Sequence, residues 1–212
     1  MPSYISVVGI GPGGLEYVVP LALEEIEKAD IIIGGKKALN MFGHLNKETL
    51  RITGDLGKVV SALENLSPGV RAVVLVSGDP GFYSFLNYLK ENLSARDIKV
   101  IPGISSFQVA FARVQASWHD AYLFSLHGRR RDQLARFLEE KLKEYPRVAF
   151  LTDHEMTPDE AARTLLQEGF KDRRVMVLSD LTLPEEKVKE LPLSRLAESR
   201  ESGNSVVVIE NE

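Results

Sequence analysis

The stretch that decides the fold is VVGIGPGGLEYVVPLALEEIEKAD, residues 7–30. Its apolar beginning predicts a buried strand, and Gly9, Gly11 and Gly14 follow as a literal G-x-G-x-x-G. That spacing is typical of the turn that binds the pyrophosphate of a dinucleotide, where the third glycine already lies on a helix. The first question is therefore whether this turn belongs to a nicotinamide-binding protein.

Pro20 argues against the dinucleotide turn. A helix that started at Gly14 would contain Pro20 in its interior, where proline removes a hydrogen bond and costs about 3 kcal/mol. Pro20 fits better as the first residue of a helix over PLALEEIEKA, because its missing N–H is harmless there. The next strand, DIIIGGKK, also ends without the acidic residue that binds the ribose. We predict a longer, open loop, and an NAD-dependent oxidoreductase stays as the alternative from another class.

The bulk composition is that of an ordinary globular protein. The 212 residues carry a formal net charge of −4, which provides no general attraction to nucleic acid or to an anionic membrane. The absence of cysteine excludes disulfides, thiolate nucleophiles and cysteine metal sites, and the histidines lack metal-ligand spacing. No apolar run approaches the roughly 20 residues of a membrane-spanning helix, and no leader pattern precedes the first strand. We expect a cytoplasmic protein with no metal site, no nucleic-acid partner and no membrane partner.

Strands and helices alternate along the first half of the chain. This order predicts a parallel sheet with helices on both faces, within a domain over residues 1–115. The predicted strands are YISVVGIG, DIIIGG, RAVVLVSG and IKVIPG.

The pattern resets near ASWHD, and residues 120–212 are predicted to form a second domain. Two of its strands, RRVMVLSDL and EKVKELPL, leave little room for a crossover helix, so part of this sheet should be antiparallel. The predicted fold class is α/β, with two α/β domains.

Two further turns follow strands of the first domain, SGDPGFY at residues 77–83 and PGISSFQ at residues 102–108. Because the carboxyl ends of parallel strands share one edge of a sheet, all three turns are expected to line one crevice. Each turn also has a purely structural explanation. Asp79 would cap a helix that starts at Pro80, and Ser105 with Gln108 would form a capping box. A carboxylate at Asp79 could also face a cationic ligand group.

The segment SLHGRRRDQ, residues 125–133, places His127 and three arginines between a strand and a helix. Arginine at the start of a helix opposes the helix dipole, so an anionic ligand explains it better than helix stability does. A solvated basic helix start is the alternative. His127 is the candidate catalytic acid or base, because imidazole titrates near neutral pH. Arg129 and Arg130 offer paired N–H donors for carboxylates.

The three turns, in this order, resemble those of the tetrapyrrole (corrin/porphyrin) methylases. The resemblance extends over nearly the whole chain, more loosely in its second half. It implies two α/β domains with S-adenosylmethionine in the cleft between them, S-adenosylhomocysteine as product, and a homodimer. The cofactor contacts that it implies are Pro12, Asp79, Phe82, Ser105 and Ser106, with one more at Leu151 or Thr152.

Within the family, the combination of ADIIIGGKKAL, SGDPGFYS, PGISSFQ and SLHGR is most similar to one branch. That branch methylates C5 of a late corrin precursor, cobalt-precorrin-7 or precorrin-6Y, in cobalamin biosynthesis. The expected reaction is an in-line transfer of methyl from sulfonium to a ring carbon, which needs alignment and exclusion of water. We expect Gly11, Arg129 and Arg130 to contact the tetrapyrrole substrate.

Some family members carry a second module for C15. The stretch up to Glu212 lacks it, so a separate C15-methyltransferase and decarboxylase is an expected partner. Methylases of the same fold that act on uroporphyrinogen, other precorrins, ribosomal RNA ribose or diphthine precursors remain alternatives, and the acidic balance weighs against RNA. A non-catalytic cofactor-binding protein is the remaining alternative.

Overall fold

The computed structural model describes residues 3–93, 97–127, 132–201 and 204–211. By its internal contacts the chain divides into two compact units, Met1–Ser105 and Ser106–Glu212. The helix over Ser106–Arg113 falls in the second unit by this division, where it contacts the strand Ser205–Glu210. The sequence pattern, in contrast, predicts a boundary between residues 115 and 120.

The first unit contains one five-stranded sheet. Its strands are β1 Tyr4–Gly9, β2 Ile31–Gly34, β3 Glu48–Arg51, β4 Arg71–Val76 and β5 Ile98–Ile101. They lie in the order β3-β2-β4-β1-β5, and every neighbouring pair is parallel, as predicted. All five strands therefore end at the same edge, and β4, β1 and β5 end there side by side.

Helices cover both faces of this sheet, which explains why its central strands are apolar at consecutive positions. The helices are α1 Pro20–Glu27, α2 Lys36–Met41, α3 Leu56–Glu64 and α4 Phe85–Asn92. Successive residues of a strand point to opposite faces. Val7 accordingly packs in a core with α3 and α4, whereas Val8 packs in a core with α1 and α2.

The loop between β1 and α1 confirms the prediction that Pro20 is the first residue of a helix. Helix α1 begins at Pro20, after Val19 in an extended conformation. Residues 10–19 thus form the open loop that the sequence predicts, and no helix starts at Gly14, which begins only a single 3-10 turn over Leu15–Tyr17. This geometry does not match the dinucleotide turn, in which a helix holds the third glycine.

The second unit contains a mixed sheet, as predicted. Its strands are β6 Ala121–Ser125, β7 Arg147–Leu151, β8 Arg174–Ser179, β9 Lys187–Pro192 and β10 Ser205–Glu210. The order is β6-β7-β10-β8-β9, in which β6 and β7 are parallel and the other pairs are antiparallel. Because β10 runs antiparallel to both of its neighbours, β6, β7 and β8 all end at one edge, where β10 begins.

The described residues of this unit form four helices: α5 Ser106–Arg113, α6 Leu134–Glu144, α7 Pro158–Gln167 and α8 Leu193–Glu198. Apolar residues of α6, α7 and α8 pack with Phe150 and Val207 in a single core on one face of the sheet. None of the helices in the described ranges is long and apolar enough to cross a membrane.

Candidate functional site

The three glycine-rich turns of the first unit meet backbone against backbone. A Cβ atom added to Gly9 would lie 2.6 Å from the carbonyl oxygen of Gly78 and 2.7 Å from the amide nitrogen of Gly103. A Cβ on Gly103 would lie 2.8 Å from the Cα of Gly9. Side chains do not tolerate such distances from main-chain atoms. The turns after β1, β4 and β5 can therefore approach one another only because positions 9 and 103 are glycine.

Gly11 and Gly78 join the first two turns. The amide of Gly78 donates a hydrogen bond of 2.8 Å to the carbonyl of Gly11, and the two residues form an isolated antiparallel bridge. Gly11 has φ +74° and Gly78 has φ +66°, a region that L-residues with a Cβ rarely adopt. Next to a Cβ on Gly78, the nearest atom would be the Cα of Ser105 at 3.8 Å, which is an ordinary van der Waals contact and not a clash.

Asp79 links the second turn to the third. Its carboxylate accepts hydrogen bonds from the amide of Gly81 at 2.8 Å and from the amide of Gly103 at 3.0 Å. The prediction that Asp79 caps a helix starting at Pro80 is wrong. Helix α4 begins at Phe85, and the Ser84 hydroxyl accepts from the amide of Leu86 at 3.1 Å. The Asp79 carboxylate thus links the second turn to the third, and Ser84 caps helix α4.

Other predicted cofactor contacts lie around these turns. Pro12, Phe82 and Ser105 are half-buried, and Ser106 is the first residue of α5 in the second unit. Tyr83 is exposed, with φ +47° and its ring 4.7 Å from that of Phe82. The first unit therefore brings Gly11, Pro12, Asp79, Phe82 and Ser105 to the single edge at which its strands end.

In the second unit, Leu151 is the last residue of β7 and is half-buried, whereas Thr152 is fully buried. The Thr152 hydroxyl donates to the carbonyl of Ser205 at 3.3 Å and accepts from the Ser205 amide at 3.0 Å. The Ser205 and Ser179 hydroxyls are 2.7 Å apart. Thr152 therefore ties β7 to β10, and Leu151 retains the accessible surface at this position.

His127 lies just beyond β6 at the same edge of the second sheet. Its Nδ1 is 2.9 Å from the Oγ of Ser125, and its amide donates to that same oxygen at 3.2 Å. The imidazole is exposed, whereas Ser125 is fully buried. The predicted substrate residues Arg129 and Arg130 lie outside the described residues.

Two carboxylates of the second unit have roles that local sequence patterns do not indicate. Glu168 accepts from the amides of Gln133 at 3.1 Å and Ala135 at 2.7 Å, and so occupies the N-terminus of α6. The helix-dipole argument for an anionic ligand therefore has another explanation, because Glu168 already supplies the negative charge. Its distance along the chain, 33 residues from Ala135, hides this contact from sequence reasoning.

Glu186 supports the loop after β8. It accepts from Arg113 Nε at 2.5 Å and Nη2 at 3.2 Å, and from the amide of Thr182 at 2.7 Å. The hydrogen bond from Arg113 lowers the pKa of Glu186 below its ordinary value. Asp180 and Thr182 in this loop have φ +48° and +69°. The ion pair thus holds a loop with two left-handed non-glycine residues.

Within the part of the chain that the structure describes, no group of three or more His, Asp or Glu side chains is placed to hold a metal ion.

Comparison with known proteins agrees with this architecture. The family model of the tetrapyrrole (corrin/porphyrin) methylases matches residues 4–197. The cobalt-precorrin-7 C(5)-methyltransferase of Salmonella typhimurium is 35% identical over 208 residues, which cover 97% of this chain and 98% of that protein. The precorrin-6Y C(5,15)-methyltransferase [decarboxylating] of Sinorhizobium sp is 30% identical over 84% of this chain and 42% of its own length.

A solved structure, the cobalamin biosynthesis precorrin-6Y methylase from Archaeoglobus fulgidus, matches with a TM-score of 0.76 at 23% identity, over 99% of this chain and 98% of that one. The likeness in fold and the match of the family model over most of the chain lead to one conclusion: this chain belongs to the tetrapyrrole (corrin/porphyrin) methylases.

Proposed function

We propose that this chain is an S-adenosylmethionine-dependent methyltransferase that methylates C5 of a late corrin precursor of the cobalt-precorrin-7 or precorrin-6Y type. The observation that carries the proposal is the contact of Gly9, Gly78 and Gly103 at one sheet edge. It occurs in a chain that is 35% identical, over nearly its full length, to a cobalt-precorrin-7 C(5)-methyltransferase. The proposal covers C5 alone, because the relative that this chain matches over 98% of its length is named for C5.

The turns of the first unit suit S-adenosylmethionine in two respects. A Cβ on Gly78 would have no atom nearer than the Cα of Ser105 at 3.8 Å, so a group of the donor can approach the backbone of the second turn beside Ser105. The Asp79 carboxylate is fixed by two amide hydrogen bonds, so it keeps this backbone in one shape. We propose that Pro12, Phe82 and Ser105 complete the contacts of this unit. Ser106 and Leu151 are the contacts proposed for the second.

When bound, S-adenosylmethionine supplies a methyl group on a positively charged sulfur. The chain's part is to hold the donor and the tetrapyrrole in line and to keep water away, because a sulfonium methyl and an electron-rich ring carbon need no covalent enzyme intermediate. The absence of cysteine from the sequence fits this division of work, since no thiolate nucleophile is required.

The deciding experiment incubates the protein with S-adenosylmethionine and late corrin precursors, with and without cobalt. We expect a product that has gained one methyl group, located at C5 by carbon NMR. Uroporphyrinogen is the comparison substrate, and methylation of it alone would contradict the proposal.

Calorimetry with S-adenosylhomocysteine and with NADH separates the cofactor classes. We expect S-adenosylhomocysteine to bind and NADH not to bind. Bound S-adenosylhomocysteine should raise the free energy of unfolding, by about 2.7 kcal/mol when its concentration is one hundred times the dissociation constant. Binding without methyl transfer to any tetrapyrrole would instead favour a cofactor-binding protein.

We also propose that the protein acts as a homodimer in the cytoplasm, which the family resemblance supports. Sedimentation equilibrium measures the oligomeric state directly, and a monomer at micromolar concentration would contradict the proposed homodimer.

A further inference from the structure

The contact between Ser125 and His127 bears on which nitrogen of the imidazole carries the proton. Ser125 is the last residue of β6 and is fully buried. Its Oγ lies 2.9 Å from His127 Nδ1 and accepts the His127 amide proton at 3.2 Å. The ring and the amide of His127 therefore both contact the Ser125 hydroxyl oxygen, two residues earlier in the chain.

Proton counting decides the direction of the shorter contact. A serine hydroxyl has one proton to donate, and a buried O–H without an acceptor costs about 1–3 kcal/mol. The amide contact uses Oγ as an acceptor, so it does nothing for the hydroxyl proton. Among the residues that the structure describes, Nδ1 of His127 is the acceptor that this hydroxyl reaches. If the hydroxyl donates to Nδ1, that nitrogen of the neutral imidazole carries no proton.

We infer that Ser125 holds neutral His127 as the Nε2–H tautomer, and that the exposed Nε2–H is a hydrogen-bond donor for a carboxylate of the substrate. A neutral imidazole with its free nitrogen facing Ser125 has no lone pair at Nε2, so it does not act there as a general base. The second part of this inference rests on the proposed function, since corrin precursors carry acetate and propionate groups that accept such bonds. Ser125 is then a positioning residue, and His127 contacts the substrate.

The chain contains an internal comparison for this assignment. Ser117 Oγ lies 2.5 Å from Nδ1 of His119, again two residues apart. Ser117 is exposed, so its hydroxyl proton can go to water and the tautomer of His119 is not fixed. Burial of the serine, and not the Ser-x-His spacing, is what selects the tautomer.

Nitrogen NMR of the full chain labelled with ¹⁵N-histidine tests the tautomer. The spectrum is recorded at alkaline pH, where a free imidazole is neutral, and the His127 signals are assigned by their loss in His127→Gln. We expect the coupling pattern of Nε2–H for His127 in the wild type, and a mixture of tautomers for His119 and for His127 in Ser125→Ala. An Nδ1–H pattern for His127 in the wild type overturns the inference.

Kinetics of two variants test the role at the substrate. The glutamine of His127→Gln keeps an N–H donor near the position of Nε2 but cannot take up a proton, whereas His127→Ala has neither ability. We expect kcat within about threefold of wild type in both variants, with KM for the tetrapyrrole raised about tenfold in His127→Ala and restored in His127→Gln. A loss of kcat of about a hundredfold or more in both variants identifies a base and overturns the inference. An unchanged KM in His127→Ala overturns it as well.

Failure of the proposed function is recognisable separately. If the wild type methylates no tetrapyrrole, the proposed function and the proposed contact of His127 with a substrate carboxylate are both wrong. The NMR spectrum still tests the tautomer of His127 independently.

Discussion

Gly103 shows how little room the three turns leave for a side chain. A Cβ at this position would lie 2.8 Å from two backbone atoms of Gly9 and still closer to the carbonyl oxygen of Gly78. Backbone atoms cannot move aside as the end of a flexible side chain can, so the third turn itself must shift. The close approach of the turns therefore depends on the absence of a Cβ atom at position 103.

We predict that Gly103→Ala lowers the free energy of unfolding by about 1–3 kcal/mol, as overpacking does. It should also weaken S-adenosylhomocysteine binding at least tenfold, because the turns separate. Urea denaturation and calorimetry measure the two effects. Gly54→Ala is the matched control, since a Cβ on Gly54 would have nothing within 4 Å. Wild-type affinity in Gly103→Ala would show that the close approach is not needed for binding.

Single residues also mark the limit of sequence reasoning. Pro20 could be placed from the sequence because the cost of an interior proline depends on the helix alone. Asp79 could not, because its partner Gly103 lies 24 residues away on a neighbouring turn. The position of its carboxylate depends on the tertiary fold. Local rules therefore predicted a helix cap where the structure has a bond between turns.

At the scale of elements, the sequence predicts the strands with buried, β-branched runs and the helices with amphipathic spacing. One strand and one α-helix of the first unit were not predicted. Strand β3 reads ETLR and is largely exposed at the end of the sheet, so it lacks the apolar signal of its neighbours. Helix α2 spans only Lys36–Met41 and directly follows a Gly-Gly pair, which is too short for a helical period to be visible.

The start of helix α6 depends on a residue from another element. Replacement of Glu168 by alanine should remove both acceptors from the amides of Gln133 and Ala135. We predict a loss of about 1 kcal/mol in the free energy of unfolding, the usual cost of a lost helix cap, and a smaller loss in Glu168→Gln. Urea denaturation provides the measurement. The control is Gln167→Ala at the neighbouring exposed position, and equal losses in Glu168→Ala and Gln167→Ala would contradict the role of Glu168.

Across the whole molecule, several carboxylates have pKa values below their ordinary range. Burial of Glu25 acts to raise its pKa, but hydrogen bonds from Lys99 and Ser6, both at 2.6 Å, lower it by more. Burial likewise raises the pKa of Asp159, and hydrogen bonds led by that from Thr157 outweigh it. Contacts that favour the charged forms stabilise the folded chain only while these groups are ionised.

We therefore predict that the protein is destabilised by acid. A group whose pKa is lowered by folding stabilises the protein above its unfolded value, 4.5 for Glu25 and 3.8 for Asp159, and loses this contribution as the pH falls through the folded value. The free energy of unfolding, measured by urea denaturation between about pH 7 and pH 3, should decrease below about pH 5.

Glu25→Gln isolates one contribution to this acid sensitivity. It should cost about 1–3 kcal/mol at neutral pH, where two charge-assisted bonds are lost, and less at the acid end, where Glu25 is itself protonated. Glu27→Gln, at an exposed position of the same helix, is the control. A cost of Glu25→Gln that is independent of pH would contradict the assignment.

The position of β10 in the second sheet has a consequence for biosynthesis. This strand comes last of the ten in the described part of the chain, yet it lies in the middle of its sheet, with Val206 to Ile209 almost completely buried. The ribosome therefore delivers β6 to β9 before the strand that joins β7 to β8, and the nascent chain carries two incomplete half-sheets with open edges. We expect ribosome-bound chains that stop short of Ser205 to recruit chaperones and to be cleaved by added protease within this unit.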